Sequence, residues 1–326
     1  MPEREFWRGK SVLVTGGTGF VGRHLTRRFE EAGAQVVSVG SRQVDLTSSE
    51  DTMRWARGWN PAPSAIFHLA VWAKPGAFAL HHAAELFHIN TMLNANILRA
   101  WHECAPRARF VGIGSSCAYP GHLARMAEED FWNGEPHASV WAYAMTKRML
   151  YAGQRAYAQQ YGLDTVHVIS TTLYGPGDHF DEASSHVVGA LIDRFSTAHA
   201  RGDRQVVVWG DGTQSREVVF IEDQIDGLLL AAERCHDALI NIGTGTSHTV
   251  REIAETIARF CDYRGEIVYD TSKFVGAREK VLNIDRAVST LGWRPKTTLE
   301  GGLTRTTAWH REHILPSRLA PVGAAR

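Results

Sequence analysis

Residues 11–22 read SVLVTGGTGFVG, and this stretch decides how the chain folds. The apolar run Ser11–Thr15 predicts a strand that breaks into a turn with Gly16, Gly19 and Gly22. Beyond the turn, apolar residues recur at every third or fourth position and predict a helix with one buried face: Val21, Leu25, Phe29 and Ala32. Gly33 suits the end of that helix, and Gln35–Val39 is a second apolar run. Strand, helix and strand in this order open a parallel sheet.

Strand-like and helix-like segments continue to alternate along the chain. Apolar runs at 65–69, 109–113 and 165–169 predict further strands, and the stripe at 86–101 predicts a helix. This alternation predicts an α/β fold, a Rossmann-type doubly wound parallel sheet with helices on both faces. After about Leu173 the pattern changes to a helix at 186–199, a strand at 205–209, a helix at 222–234 and a helix that the capping box TVRE opens at Thr249.

These segments predict two lobes. A dinucleotide-binding Rossmann domain spans residues 1–172, with a return at about 211–238. A smaller α/β lobe that binds the substrate spans residues 173–326. Its last ten or so residues, from Pro316, are expected to fray.

Composition limits the function classes. The 326 residues are 44% hydrophobic and 21% charged, with 35 basic and 35 acidic side chains, as in a globular enzyme rather than a disordered chain or a fibre. A net charge of zero gives no general attraction to nucleic acids or anionic membranes. The sequence lacks a membrane-spanning apolar stretch and a secretory signal, so we expect a cytoplasmic protein. Its cysteines show no C-x-x-C spacing and predict reduced thiols rather than a metal site: Cys104, Cys117, Cys235 and Cys261.

The glycine turn predicts a dinucleotide site. Glycine permits positive φ and lets backbone N–H groups approach a pyrophosphate at the start of the following helix. At the end of the second strand an NAD site usually carries an acid, whereas this chain has Ser41 and Arg42 there, which favours NADP(H) over NAD(H). Alternatively, Arg42 is a solvated loop residue. Asp45, at the end of a further short strand, either contacts adenine or forms a turn.

A second motif predicts acid–base chemistry. Tyr143 and Lys147 form Y-x-x-x-K in a helical segment, which places both side chains on the same face. A phenol titrates near 10 in water, so we expect the Lys147 ammonium to lower the pKa of Tyr143. The pair alone could arise by chance, but GSSCAYP follows the strand at 109–113 and brings Ser115 and Ser116 to the carboxyl edge of the sheet, where α/β proteins bind ligands.

The glycine turn, the serine at a strand end and Y-x-x-x-K together resemble the extended short-chain dehydrogenase/reductase family, over residues from about 10 to 310. The resemblance makes Ser115 the triad serine and Tyr143 the general acid/base. Lys147 then also binds the nicotinamide ribose. It matches Asn90 to the family's helix asparagine, which takes part in proton relay or else hydrogen-bonds within its helix. We also place other residues in the cofactor site: Phe20, Leu46 and Leu173.

Within that family the segments GSSCAYP, TLYGPGDHF, SSHVVGALIDRF, VVVWGDGTQSREVVFIED and INIGTG are similar to those of 3,5-epimerase-4-reductases of GDP-4-keto-6-deoxymannose. Such enzymes exchange protons at the two carbons flanking a ketone as well as reducing it. By this resemblance Cys117 and His186 carry the proton exchange. The alternatives are that Cys117 is a packing residue and that His186 caps the helix it precedes.

The same resemblance implies a nucleotide-sugar site. It assigns Arg194, Trp209 and Arg216 to the nucleotide base and diphosphate, since guanidinium groups bind phosphates in bidentate fashion, and we add Ser116 to the substrate site. Alternatively, Arg194 lies on a solvated helix face and Trp209 in the core. Family members commonly dimerise through the helices around Y-x-x-x-K, so the resemblance also implies a homodimer.

Two departures from the family pattern affect substrate identity. Thr172 replaces an asparagine before L-Y-G-P, and near the C-terminus Val275 and Glu279 replace an acid and a base in K-P-D-G-x-P-R-K. The leading hypothesis is an NADPH-dependent 3,5-epimerase-4-reductase of a GDP-linked sugar. The rivals are a 4-reductase, 4-epimerase or dehydrogenase of another nucleotide sugar or heptose, and a dinucleotide sensor or scaffold without catalysis.

Overall fold

The computed structural model of the chain describes residues 2–74, 78–181, 184–272 and 280–320, and its centre is a six-stranded parallel sheet. All five pairings between neighbouring strands are parallel. This sheet confirms the predicted fold class. Across the sheet the strands run in the order Gln35–Val39, Ser11–Thr15, Ala65–His68, Arg109–Ser115, Thr165–Ser170 and Ala238–Ile242.

Helices cover both faces of the sheet because successive strand residues point to opposite sides. Leu13, Ile66 and Phe110 pack in one core cluster with Met53, Ile97 and Leu150, which lie on the helices of the first face. The intervening strand residues belong to the cluster on the other face, with the helices Phe20–Glu31 and Ile221–Arg234: Val12, Val14, Phe67 and Val111. The helices of the first face are Ser49–Ala56, Ala83–Cys104 and Trp141–Tyr161.

The second lobe is built around three helices, Val187–Arg201, Val250–Phe260 and Leu299–His313, which pack on one another. Short strand pairs surround them: Gln205–Trp209 with Glu266–Asp270, Ser215–Arg216 with His248–Thr249, Thr172–Tyr174 with Val218–Phe220, and Arg125–Met126 with Val281–Leu282. The remaining helices are Pro2–Trp7, Phe78–His81 and Leu315–Leu319, with 3-10 turns at Ser116–Ala118, Glu128–Asp130 and Ala138–Val140 and a π-helix at Ala287–Leu291. The core continues from the sheet into this lobe, because Leu191, Ile253 and Leu303 belong to the same cluster as Val12.

Some predicted boundaries change. No strand ends at Asp45, which lies between turns at residues 41–43 and 46–47, so that prediction is wrong. Residues 315–319 form a helix inside the tail that we expected to fray, and residues 321–326 lie outside the described part. The chain returns from the second lobe to the sheet and forms its edge strand, Ala238–Ile242. The division into domains at 1–172 and 173–326 stays a prediction. In the described residues, no helix is both long and apolar enough to cross a membrane.

The capping box at the start of Val250–Phe260 gives a stability prediction. The Thr249 hydroxyl accepts from the Glu252 N–H at 3.1 Å, and the Glu252 carboxylate accepts from the Thr249 N–H at 2.8 Å. Thr249→Ala removes one of these bonds and should lower the free energy of unfolding by about 1 kcal/mol in urea denaturation. Glu255→Ala, on the exposed face of the same helix, is the control and should change it by less than about 0.5 kcal/mol. An equal loss of unfolding free energy in both variants would contradict the capping role of Thr249.

Candidate active site

The glycine turn leaves space that only glycine backbone permits. Gly16 has φ +68°, and a Cβ at that position would lie 2.7 Å from the Ala70 nitrogen. A Cβ on Gly22 would lie 2.3 Å from the Gly16 carbonyl oxygen. No side chain caps the following helix at Gly19, so its first-turn N–H groups face the turn that a pyrophosphate would enter. The turn therefore fits a dinucleotide.

The other predicted cofactor residues fall into two groups: some are exposed, and the others form a turn or pack against the protein. Ser41 and Arg42 are both exposed in the turn that follows the second strand. The Asp45 carboxylate accepts from the Thr47 N–H at 2.9 Å and from the Thr47 hydroxyl at 2.6 Å, as expected of a turn residue. Phe20 and Leu46 are buried and Leu173 is half-buried in the strand Thr172–Tyr174, so these predicted cofactor residues contribute mainly packing here.

Ser115, Tyr143 and Lys147 converge at the carboxyl end of the strand Arg109–Ser115. The Lys147 ammonium donates to the Ile113 carbonyl oxygen at 2.8 Å and lies 5.9 Å from the centre of the Tyr143 ring. Tyr143 hydrogen-bonds with the Ser115 side chain. The residues of the two sequence motifs therefore lie together at this end of the strand.

The acidity of the phenol differs from the expectation. Burial and the nearby Cys117 raise the pKa of Tyr143 above its usual value of 10, and the hydrogen bond from Ser115 offsets only part of this. The expected lowering by Lys147 is therefore not what this arrangement produces. Burial lowers the pKa of Lys147 to about 8. Tyr143 is thus protonated at neutral pH, which is the state that a proton donor to a ketone needs.

Cys117 lies in the 3-10 turn that follows Ser115, where it is half-buried and its thiol is free. Its backbone N–H donates to the Ser115 hydroxyl at 3.2 Å. Burial lowers the pKa of Arg216 and of Lys280, while the nearby Cys117 sulfur raises both. The predicted Arg216 is therefore within electrostatic range of the thiol. So is Lys280, which the sequence analysis missed.

His186 occupies a different kind of position. It is the residue before the helix Val187–Arg201, but its side chain makes no capping hydrogen bond, which counts against the alternative that it serves as a cap. His186 is exposed at the surface, and partial desolvation by the surrounding protein, with the neighbouring His179, lowers its pKa. Among the described residues no hydrogen bond joins His186 to Cys117.

Arg194 and Trp209 meet at a groove of about 580 Å³ in the second lobe. The Arg194 guanidinium lies 5.1 Å from the centre of the Trp209 ring and donates to the Val207 carbonyl oxygen at 3.0 Å. Trp209 is 41% exposed, so the alternative of a core residue is wrong. An aromatic face with an adjacent guanidinium is suited to a nucleotide base.

Asn90 has a structural role in this arrangement. Its side-chain oxygen accepts from the Trp72 N–H at 2.8 Å, and its amide donates to the carbonyl oxygens of Trp72 and Leu86 at 2.9 and 2.8 Å. These bonds fasten the loop after the third strand to the helix Ala83–Cys104. They favour the hydrogen-bonding alternative over a part in proton relay.

The sequence analysis missed two buried carboxyl groups, those of Glu217 and Asp178. The Glu217 carboxylate accepts from the N–H groups of Thr244, Gly245 and Leu282 at 2.6, 2.9 and 2.8 Å. It therefore joins the segments that carry Arg216 and Lys280. Asp178, in the GPGDHF turn, is 8% exposed, and one of its carboxyl oxygens is buried without a partner. The acid of S-R-E, directly after Arg216, was the available signal for Glu217.

The parallel sheet, the glycine turn and the Ser115–Tyr143–Lys147 group define a dinucleotide-dependent α/β enzyme. Residues 12–243 match the NAD dependent epimerase/dehydratase family, and the chain belongs to that family. This confirms the resemblance found in the sequence.

Individual relatives match nearly the whole chain. It is 33% identical over 319 residues to the GDP-L-fucose synthase of Escherichia coli (strain K12), covering 93% of this chain and 97% of that protein. It is 28% identical over 303 residues to the GDP-L-colitose synthase of Yersinia pseudotuberculosis, covering 90% and 96%. The crystal structure of a GDP-L-fucose synthetase from Naegleria fowleri bound to NADP has a TM-score of 0.81 at 25% identity, covering 93% and 94%.

Of the three residues that depart from the family pattern, one lies in the described part of the chain. Thr172 is half-buried in the strand Thr172–Tyr174, where it pairs with Val218. Val275 and Glu279 lie outside the described residues.

Asp178 gives a pH prediction. Burial raises its pKa from 3.8 to about 7, so between these values the folded state binds more protons than the unfolded state. This carboxyl group therefore lowers the stability of the wild type as pH rises from 5 to 8. Asp178→Asn, which stays uncharged, should gain about 2 kcal/mol relative to wild type over that interval in urea denaturation.

The exposed Asp203→Asn is the matched control and should follow the wild-type pH profile. A difference between Asp178→Asn and wild type that stays constant from pH 5 to 8 would show that Asp178 is ionised in the folded state.

Proposed function

We propose that this enzyme is an NADPH-dependent 3,5-epimerase-4-reductase of a GDP-linked 4-keto-6-deoxy sugar, similar in activity to GDP-L-fucose synthase. The observation that carries the proposal is the position of Cys117, whose N–H donates to the Ser115 hydroxyl at 3.2 Å and whose thiol is within electrostatic range of Tyr143, Arg216 and Lys280. A plain ketone reductase needs the phenol but no thiol. The similarity to GDP-L-fucose synthases over nearly the whole chain supports the same assignment.

The cofactor is NADP(H). The glycine turn accepts a dinucleotide, and a solved relative at 25% identity is bound to NADP. The chain provides an exposed Arg42 and no acid in the turn where the ribose 2′-phosphate would bind. When bound, NADPH supplies the hydride for C4 of the sugar.

The side chains of the protein donate protons and stabilise the charges that form during the reaction. In reduction, the Tyr143 hydroxyl gives its proton to the C4 oxygen while Ser115 donates a hydrogen bond to that oxygen. The high pKa of Tyr143 keeps the proton available until the ketone oxygen becomes basic. Lys147 then stabilises the phenolate that remains, which regains a proton from water.

Epimerisation precedes reduction because protons next to a carbonyl group are acidic. At C3 and at C5, one of the pair Cys117 and His186 removes the proton, and the other gives a proton to the opposite face of that carbon. Tyr143 and Ser115 stabilise the enolate oxygen formed in between. Arg216 and Lys280 would neutralise the diphosphate, while Trp209 and Arg194 would hold the base.

A second candidate is a reductase of a related nucleotide sugar that does not invert both carbons. The chain matches a GDP-L-colitose synthase over 90% of its length, and Thr172 departs from the pattern of the first group. Cys117→Ser separates the two candidates, since unchanged turnover of the true substrate would favour this one.

We also propose a homodimer and a cytoplasmic location. The helices Ala83–Cys104 and Trp141–Tyr161 pack on each other and expose apolar side chains, including Phe87 at 40% and Met149 at 37%. A second copy would cover this surface, because exposed apolar side chains on adjoining helices are typical of protein interfaces.

Deuterium exchange tests the epimerase chemistry. Incubation of the wild type with GDP-4-keto-6-deoxymannose in D₂O, without NADPH, should place deuterium at C3 and C5, as mass spectrometry and NMR would show. Cys117→Ser should slow the exchange by about 100-fold or more, because one acid–base group is lost. Cys104→Ser, which changes the thiol at the C-terminal end of the helix Ala83–Cys104, is the matched control and should exchange like wild type. Absence of deuterium at both carbons in the wild type would remove the epimerase half of the proposal.

Cofactor choice is tested at Arg42. Arg42→Ala should raise the Kd for NADPH about 10- to 100-fold, the range expected when a charged hydrogen-bond donor to phosphate is lost. The Kd for NADH, which lacks the 2′-phosphate, should stay nearly unchanged. Both are measurable by nucleotide fluorescence. Arg57→Ala, another exposed arginine, is the control, and an equal effect on NADPH and NADH would refute the role of Arg42.

A further inference from the structure

A chain of buried polar side chains runs from the first strand of the sheet to the helix that carries Tyr143 and Lys147. The Thr15 hydroxyl lies 2.7 Å from His68 Nδ1, and His68 Nε2 lies 3.1 Å from the Asn94 side-chain oxygen. The Asn94 amide nitrogen donates to the Thr146 carbonyl oxygen at 3.0 Å. All four residues are buried, with exposures of 0–8%.

The direction of each hydrogen bond follows from the last one. Because the Asn94 amide nitrogen faces a carbonyl oxygen, its own oxygen faces His68, and His68 Nε2 must carry the proton. Burial and the nearby Lys147 charge lower the pKa of His68 to about 3 despite the bond to Asn94, so the ring is neutral at physiological pH. In a neutral ring protonated at Nε2, Nδ1 is an acceptor, so the Thr15 hydroxyl donates to it and in turn accepts from the Ala70 N–H at 3.4 Å.

The two ends of the chain lie at the two parts of the candidate site. Thr15 directly precedes Gly16, and Ala70 is the residue against which Gly16 packs. Thr146 directly precedes Lys147, and its hydroxyl donates to the Tyr143 carbonyl oxygen at 2.8 Å. The chain therefore spans the distance between the dinucleotide turn and the phenol–ammonium pair.

A buried polar chain of this kind contributes little net stability compared with apolar side chains of the same shape, but it permits only one arrangement of its partners. We propose that His68 and Asn94 are positioning residues, which fix the helix of Tyr143 and Lys147 at a set distance from the glycine turn. The proposal rests on the proposed roles of Tyr143 and Lys147. It holds for any keto sugar that the enzyme reduces.

Two substitutions at His68 distinguish the hydrogen bond made at Nε2 from the one made at Nδ1. Gln places an amide N–H where Nε2 lies and keeps the bond to Asn94, whereas Asn places an oxygen where Nδ1 lies and loses that bond. His68→Asn should lower kcat by about tenfold or more with little change in the KM of the sugar nucleotide, because small misplacements of reacting groups are costly. His68→Gln should keep most of the wild-type kcat.

Asn94→Leu, which matches the volume without the amide, should resemble His68→Asn. Combining the two should cost no more than either alone, because both break the same link. Thermal melts of all variants, followed by circular dichroism, report whether each one folds.

A cofactor-only measurement makes this test independent of the substrate assignment. In His68→Asn the Kd for NADPH should rise about threefold to tenfold, because Lys147 would bind the nicotinamide ribose from a displaced helix. The Kd for 2′,5′-ADP, which lacks the nicotinamide half, should stay at the wild-type value. A wild type that reduces no GDP-keto sugar would refute the proposed function, while the NADPH and 2′,5′-ADP comparison would still decide the positioning role.

The positioning role is overturned by any of three results. One is a wild-type kcat in folded His68→Asn and Asn94→Leu. Another is an equal loss of kcat in His68→Gln and His68→Asn. The third is equal weakening of NADPH and 2′,5′-ADP binding, which would indicate general damage to the domain.

Discussion

The hydrogen bond from the Lys147 ammonium to the Ile113 carbonyl oxygen, 2.8 Å long, is the contact on which the candidate site depends. It joins the helix Trp141–Tyr161 to the sheet two residues before Ser115. Because Tyr143 lies one helical turn before Lys147, the same contact brings the phenol to the serine hydroxyl. A buried ammonium group needs such an acceptor, since burial already lowers its pKa to about 8.

The second lobe contributes positively charged side chains to the candidate site at the carboxyl end of the sheet. Arg216 and Lys280 come from segments separated by more than sixty residues, and both lie near Cys117. Glu217 holds these segments together through three backbone N–H groups, and its own burial is tolerated because all three are aligned with it. In the proposed function, proton transfer belongs to the sheet edge and recognition of the anionic substrate belongs to the smaller lobe.

Much of the fold follows from local pattern. The sequence alone predicts five of the six strands of the central sheet and the capping box at Thr249, because apolar runs and capping are short-range signals. One error comes from a local turn and the other from tertiary packing. Asp45 ends no strand because its carboxylate binds Thr47 within a turn. The phenol of Tyr143 has a raised pKa because its burial outweighs the Ser115 hydrogen bond.

The sequence by itself determined the family, the parallel sheet and the identity of most chemical groups, since glycine spacing and Y-x-x-x-K are readable without any contact map. Only the tertiary structure decided which groups act on one another. His68 and Asn94 are ordinary residues in the sequence, and Lys280 is one of many cations. Their placement depends on packing between strands and helices that lie far apart along the chain. Burial then lowers the pKa of His68 and of Lys280, an effect that no short segment of sequence contains.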